Sequence, residues 1–173
     1  MSHGKVVVFA PALLALALTL AGCGGGSSEA SYYCPEPFTV QDAGRLTHFK
    51  EGPGRDPRDI AYEASIIGTA TKCSASRNQI EVTLFMRISV SAGPSVAAGR
   101  TSVPYFVRVL DSANNVVQSQ DFNADFRLTS ANPRGSSQEE LTLSVSRQGG
   151  YRIAVGLRPT MEELNYNRRG RQP

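Results

Sequence analysis

His48 is the residue of this sequence best placed to move a proton near neutral pH. Asp42 lies six positions before it, but no nucleophile motif accompanies the two residues. The chain lacks the GxSxG, HExxH and phosphate-loop patterns that position a serine, a zinc ion or a nucleotide. We therefore expect no catalytic residue, no cofactor and no metal site, and an enzyme that uses His48 is only a third alternative.

The three cysteines lie in different surroundings. Cys23 directly follows Leu20-Ala21-Gly22 and precedes three glycines, whereas Cys34 and Cys73 lie in the body of the chain. Thirty-nine positions separate Cys34 from Cys73, and no histidine cluster accompanies them. This spacing is not that of a zinc site, so the chemistry of the pair depends on the compartment that the chain reaches.

The start of the chain has the composition of a signal peptide, because Lys5 precedes an apolar run from Val6 to Leu20. The run is shorter than the roughly twenty apolar residues of a membrane-spanning helix. The segment Leu20-Ala21-Gly22-Cys23 resembles the lipobox of bacterial lipoproteins. The resemblance implies cleavage after Gly22, a diacylglycerol on the Cys23 thiol and acylation of the freed amine, which together give stable membrane anchoring.

The lipoprotein resemblance also implies a location. Gly24 stands where inner-membrane lipoproteins usually carry aspartate, so the resemblance implies the outer membrane, with the protein facing the periplasm. In such an oxidising compartment, lipidation of Cys23 leaves Cys34 and Cys73 as an even pair, which predicts a disulfide. The bond would close a loop of about forty residues and stabilise the fold by about 4 kcal/mol. A formal net charge of only +3 does not favour nucleic-acid binding.

The elements that position these residues are predicted to be strands. From Ile80 to Ser91 an apolar side chain occupies every even position, and strict alternation of this length indicates a strand with one buried face. A capping-box pattern at 160–163 predicts a short helix near the end of the chain. Further alternating segments are Phe38–Phe49, Ile60–Cys73, Ser102–Leu110, Val116–Leu128, Leu141–Val145 and Tyr151–Leu157.

About seven short strands predict an all-β fold, an antiparallel β-sandwich with a short C-terminal helix. The final strand segment Gly150–Val155 is similar to those of immunoglobulin-like and fibronectin type III-like domains, although the chain has no tryptophan. A small β-barrel is the alternative. We expect a signal peptide at 1–22, a lipidated flexible tether at 23–33, the sandwich at 34–167 and a basic disordered tail at 168–173.

These features predict a membrane-anchored, non-catalytic binding or assembly module with an envelope protein as its partner. Phe85 and Phe106 fall on the polar phase of their strands, so they would form a partner surface if the strands were adjacent. The segment Glu51–Asp59, rich in proline and glycine, is either a recognition loop or a plain crossover. A carrier of a small ligand or metal with a barrel pocket is the alternative function.

Overall fold

The structure, a computed structural model, describes residues 32–169. Within them the chain forms two four-stranded sheets followed by a C-terminal helix. Short 3-10 turns lie at Gln41–Ala43 and Pro57–Asp59. The longer elements are β1 Pro37–Thr39, β2 Arg45–Phe49, β3 Ile60–Ala75, β4 Gln79–Ala92, β5 Gly99–Leu110, β6 Val116–Leu128, β7 Arg134–Ser146, β8 Arg152–Leu157 and α1 Met161–Arg169.

The two sheets pack as a sandwich. The first sheet has the strand order β1-β8-β5-β6 and the second has the order β2-β3-β4-β7. β1 runs parallel to β8, and every other pairing is antiparallel. The predicted sandwich is confirmed, and the barrel alternative is wrong because the two sheets do not join into one closed sheet. The orders β3-β4-β7 and β8-β5-β6 match strands A-B-E and F-C-C′ of an immunoglobulin-type sandwich.

The core lies between the sheets, and β4 supplies its centre. All the even-numbered residues that the sequence predicts to be buried in β4 have 1% exposure or less. β5 contributes every second residue in the same way, since side chains of a strand alternate between its faces. The β4 residues are Ile80, Val82, Leu84, Met86, Ile88 and Val90, and those of β5 are Val103, Tyr105, Val107 and Val109.

The predicted first strand, Phe38–Phe49, is divided between the two sheets. β1 pairs with β8 in the first sheet, and β2 pairs with β3 in the second. The 3-10 turn Gln41–Ala43 and the following Gly44 carry the chain across. The sandwich therefore has eight strands instead of about seven. The register of β3 shifts between Ile66 and Gly68, where the glycine allows the strand to bend or bulge.

The sandwich has two distinct ends. We call one the turn end: it carries the tight connections 76–78, 111–115 and 147–151. We call the other the cleft end: it carries the longer connections 50–59, 93–98 and 129–133 and the segment 158–160 that leads into α1. β3 spans 16 residues from one end to the other, a distance of roughly 50 Å at about 3.3 Å per residue.

α1 lies along β2, an edge strand of the second sheet. The Asn167 side chain donates to the Arg45 carbonyl at 3.2 Å, and the Thr47 hydroxyl donates to Asn167 Oδ1 at 2.9 Å. Arg168 donates to Asp42 at 2.6 Å. Arg168 and Arg169 thus belong to α1 and not to the tail predicted to begin at residue 168.

The predicted signal segment 1–22 and the predicted lipidation site Cys23 lie outside the described residues. Across residues 32–169 no helix has the length and apolar character that crossing a membrane requires. The last two residues of the predicted tether are described, and the Tyr32 hydroxyl donates to the Cys73 carbonyl at 3.2 Å. The fold thus holds the chain from Tyr32 onward.

Candidate functional site

A cleft of about 660 Å³ opens at the cleft end, between β2, the start of β3 and the start of β5. Its apolar floor comes from Leu46, Ala61, Tyr62, Val96 and Pro104. Most side chains around this floor are polar or charged. The polar and charged lining residues are His48, Lys50, Glu51, Ser95, Arg100, Thr101, Ser102, Asn123, Arg158, Thr160 and Glu163.

His48 and Glu163 are hydrogen-bonded to each other in the cleft wall. His48 Nδ1 lies 2.8 Å from Glu163 Oε1, although 115 positions separate the two residues in the chain. The His48 side chain is 46% exposed, whereas that of Glu163 is only 7% exposed. The imidazole also stacks on the ring of Tyr62 with 4.7 Å between ring centroids. A buried carboxylate therefore fixes the orientation of a half-exposed histidine.

Glu163 owes its position to the start of α1. The Thr160 backbone N–H donates to Glu163 Oε2 at 2.7 Å, and the Glu163 backbone N–H donates to the Thr160 hydroxyl at 3.3 Å. This is the capping box that the sequence predicts. Its carboxylate therefore has a second role, since its other oxygen contacts His48.

The pKa of Glu163 reflects these contacts. Burial by itself raises the pKa of the carboxyl, but hydrogen bonds from His48 and Thr160 outweigh burial and hold the pKa below its ordinary value. Glu163 is therefore ionised at neutral pH. Burial of the phenol is the main cause that raises the pKa of Tyr62 to about 12, and the negative charge of Glu163 adds to this effect. The Tyr62 hydroxyl donates to the Ser102 carbonyl at 3.1 Å and links the two sheets beneath the cleft.

The loop Glu51–Asp59 borders the cleft and is tied down at several points. Lys50 Nζ lies 2.7 Å from Asp59 Oδ1. Arg55 donates to Glu162 of α1 at 2.6 Å, and its guanidinium lies 5.3 Å from the centroid of the Phe49 ring. Only Glu51 of this loop lines the cleft, whereas Gly52 and Arg55 border a neighbouring groove beside the start of α1.

Connection 93–98, which contributes Ser95, Val96 and Ala97 to the cleft wall, is held close to β3. The Gly93 backbone N–H donates to the Ala61 carbonyl at 2.8 Å, and the Ser95 N–H donates to the Ile60 carbonyl at 2.9 Å. A Cβ at Gly93 would overlap the Ile60 carbonyl oxygen, so only glycine permits this approach.

Two arginines on the rim of the cleft, Arg100 and Arg158, are each paired with an aspartate. Arg158 Nη1 lies 3.2 Å from Asp121, which is also paired with Arg108 at 2.6 Å. The hydrogen bond from Arg108 is the main cause that lowers the pKa of Asp121. Arg100 lies 3.8 Å from Asp125 and its side chain is 75% exposed. Both cleft arginines therefore keep donors that face solvent.

The cleft combines an apolar floor with oriented polar groups and exposed guanidinium groups, a combination typical of ligand-binding sites. Among residues 32–169, no cluster of three or more histidine, cysteine, aspartate or glutamate side chains has the geometry of a metal site. Asp42, the acidic residue nearest to His48 before it in sequence, is paired with Arg168 instead.

Phe85 and Phe106 do not form a common surface. Phe85 lies on the outer face of the second sheet, beside the exposed Ile67 and a shallow groove of about 310 Å³. Phe106 lies on the outer face of the first sheet, where a Cβ at Gly156 would come within 2.5 Å of its ring. The sequence could not predict this, because alternation assigns a residue to a face but not to a sheet.

Cys34 and Cys73 form a disulfide, with 5.8 Å between their Cα atoms. The bond joins the segment before β1 to the last part of β3 at the turn end. The pairing that follows from assigning Cys23 to lipid is therefore present. The bond lies at the opposite end of the sandwich from the cleft.

The sequence signals that pointed to the cleft were partial. They gave His48 as a lone histidine and Glu163 as part of a helix cap, with nothing to connect them. Comparison with known proteins adds no relative: no family model, no curated protein and no solved structure matches this chain.

Proposed function

We propose that this chain is a lipid-anchored protein of the bacterial cell envelope whose sandwich is a non-catalytic binding or assembly module. The lipobox-like segment ending at Cys23 supports the anchor, and Gly24 supports placement in the outer membrane facing the periplasm. The observation that carries the binding role is the cleft at the end opposite to Tyr32, where the described chain begins.

The position of the cleft suits an anchored module. Tyr32 and the disulfide lie at the turn end, so a tether attached there leaves the cleft end directed away from its point of attachment. Anchoring then raises the effective concentration of the cleft toward other envelope components. A rigid scaffold that presents its binding surface on end connections is a common arrangement in proteins.

The cleft fits part of an extended partner better than an enclosed small molecule. Its volume of about 660 Å³ lies within the range of ligand pockets. Exposed charged groups form its rim, however, and Arg100 and Arg158 face solvent. We infer that the preferred partner is a protein segment that combines an apolar side chain with an acidic group.

The test is crosslinking from native membranes with two neighbouring variants. Ala97 and Ala98 are both exposed, but only Ala97 lines the cleft. We expect Ala97→Arg to abolish the crosslinked partner band by filling the cleft, and Ala98→Arg to retain it. Equal capture by both variants, with thermal unfolding unchanged, would exclude the cleft as the binding site.

The anchor is tested separately with Cys23→Ser. We expect this variant to lose metabolic labelling by fatty acids and to move from the membrane fraction to the soluble periplasmic fraction. Retention of acyl label on the variant would show that Cys23 is not the lipidated residue.

One observation favours a second function, that of an enzyme. Glu163 orients His48 as the acidic partner orients a catalytic histidine. His48→Ala separates the two functions by degree: a binding module keeps its partner in the crosslinking assay at reduced yield, because the rest of the cleft remains, whereas an enzyme loses all turnover of its substrate while the fold is preserved. A carrier of small ligands predicts copurified ligand in native mass spectrometry.

A further inference from the structure

The turn end is where the fold receives the segment that leads back to Cys23. The disulfide between Cys34 and Cys73 fixes the chain there, and the Tyr32 hydroxyl donates a hydrogen bond to the Cys73 carbonyl. Nine positions separate Cys23 from Tyr32. Even a fully extended chain of that length reaches only about 30 Å. A lipid on Cys23 would therefore keep the turn end within that distance of the bilayer.

Exposed apolar side chains are concentrated at this end. Among the described residues, six large hydrophobic side chains are exposed, and four of them lie here. Tyr33 is 57% exposed and Val117 is 49% exposed, with Tyr32 and Val116 beside them in sequence. The Gln118 side chain donates to the Ser144 carbonyl at 2.7 Å and so places the start of β6 beside the end of β7.

Tyrosine and valine differ in what they offer to a lipid surface. A tyrosine ring is apolar, but its hydroxyl remains hydrated, and tyrosine is accordingly enriched where membranes meet water. Valine contributes apolar area alone. Together these side chains suit a shallow contact with the headgroup region.

The turn end also carries exposed cations. Lys72, Arg77 and Arg152 are exposed, and none of them has a carboxylate within salt-bridge distance among the ion pairs found in residues 32–169. The Arg152 guanidinium lies 4.4 Å from the centroid of the Phe38 ring. Exposed arginines outside these ion pairs occur at the cleft end as well, at Arg127 and Arg134, so these cations add to the case for the turn end only together with its apolar side chains and the position of the tether.

Acidic residues at the turn end offset most of this positive charge. They are Glu36, Glu81 and Asp111, and the basic residues are Lys72, Arg77, Arg147 and Arg152. The turn end therefore carries a small positive surplus. Its exposed ammonium and guanidinium groups keep donors for an outside anion, and basic residues are attracted to the surface of an anionic bilayer.

We infer that the turn end is a membrane-facing surface that lies on the headgroups of an anionic bilayer, while the cleft end points away from it. This inference rests on the proposed lipid anchor. The tyrosines and valines contact the interface, and Lys72, Arg77 and Arg152 approach lipid phosphates. The anchored domain is thereby held in one orientation, whereas a tether by itself would let the domain turn freely.

Two lysines at opposite ends of the sandwich allow this orientation to be tested by chemical labelling. After removal of residues 1–22 only two lysines remain, Lys72 at the turn end and Lys50 at the cleft end. The lipidated protein is reconstituted into protein-free vesicles containing phosphatidylglycerol and then treated with an amine-reactive reagent. Mass spectrometry of the peptides gives the labelling of Lys72 relative to that of Lys50.

We expect the ratio of Lys72 to Lys50 labelling to fall several-fold on vesicles, relative to the soluble Cys23→Ser protein. The double variant Tyr33→Ser and Val117→Ser, which changes only exposed side chains, restores the ratio. Vesicles of phosphatidylcholine alone give a smaller decrease, because they lack the anionic headgroups.

The outcomes separate the inference from the anchor. Lipidated protein that fails to float with vesicles contradicts the proposed anchoring itself. Protein that floats but shows an unchanged labelling ratio overturns the membrane-facing surface and leaves the anchor intact. Protection of Lys72 in native membranes, without protection in protein-free vesicles, assigns the turn end to a protein partner and also overturns the inference.

Discussion

At the scale of single residues, the pair formed by His48 and Glu163 connects the helix to the cleft. One oxygen of the Glu163 carboxylate accepts a hydrogen bond from the Thr160 backbone at the N-terminus of α1, and the other is hydrogen-bonded to the imidazole of His48. Its burial makes these contacts necessary, because an ionised carboxylate away from water is costly unless hydrogen-bonded. The geometry of the cleft wall therefore depends on the charge of one side chain.

Replacing Glu163 by glutamine tests this dependence through pH. The folded-state pKa of Glu163 lies below its ordinary value of 4.5, so its contribution to stability is complete above about pH 4.5 and is lost as pH falls through the folded-state pKa. We expect Glu163→Gln to lower the free energy of unfolding by about 1–2 kcal/mol at pH 7. Urea unfolding at several pH values gives the difference between the two proteins.

The difference should shrink as the pH falls from 4.5 through the lower folded-state pKa of Glu163, because the native carboxyl then becomes protonated. Aspartate at position 163 is not a suitable control because it shortens the reach to His48. The control is His48→Gln, which keeps a hydrogen-bond donor for the Glu163 carboxylate. A difference that stays constant down to pH 2 would mean that ionisation of Glu163 does not stabilise the fold.

Among the elements, α1 determines how the edge of the second sheet ends. β2 is an edge strand of only five residues, and an uncovered edge is a template for pairing with another chain. α1 covers it with the hydrogen bonds of Asn167 and with the ring of Tyr166, whose centroid lies 5.0 Å from that of Phe49. The helix is thus part of the sandwich.

Truncation before Pro159 tests this role of α1. We expect the shortened chain to unfold at a lower temperature and to self-associate with increasing concentration, because the edge of β2 and the ring of Phe49 lose their cover. A chain that ends at Arg168 retains nearly all of α1 and is the control. Light scattering coupled to size-exclusion chromatography measures the association, and a monodisperse truncated monomer would contradict this role.

The position of connection 93–98 depends on the absence of a side chain at Gly93. A methyl group there meets the Ile60 carbonyl, so we expect Gly93→Ala to displace this wall of the cleft from β3. The cost should be about 1–3 kcal/mol, typical of overpacking at a close approach. Thermal unfolding measures it, and Ala98→Gly, which alters an exposed neighbour, is the comparison. Equal stability of Gly93→Ala and the native protein would show that the wall can shift freely.

At the scale of the whole molecule, the disulfide makes the two ends of the sandwich different. Cys34 precedes β1 of the first sheet, and Cys73 lies in β3 of the second, so the bond connects the sheets at the turn end. β1 pairs with β8 through only three residues and would be weakly held without the bond. The position of the chain start, and with it the proposed orientation at a membrane, depends on this link.

Removing the disulfide should cost about 4 kcal/mol, as the chain-entropy model predicts for a loop of this length. We expect Cys34→Ser with Cys73→Ser to show this loss in urea unfolding. Addition of a reductant should lower the native protein to the same stability and leave the double variant unchanged. A loss below about 1 kcal/mol would mean that the denatured chain is already restricted near these residues.

Local sequence patterns determined the strands, the buried face of β4 and the helix cap, because each depends on residues close together in the chain. The turn at 111–115 is equally local: Asn114 has a φ of 64°, and the Asn115 backbone N–H donates to Asp111. The pairing of the cysteines followed from their number once one was assigned to lipid.

Tertiary structure decided what local periodicity cannot contain. It placed β1 and β2 in different sheets, put Phe85 and Phe106 on opposite outer faces, and brought Glu163 to His48 across 115 positions. Strand pairing joins distant segments, and the period of two is the same in either sheet. The sequence therefore predicted the local elements and singled out individual residues such as His48. The cleft that these residues form, and its separation from the turn end, came only from the packing of the two sheets.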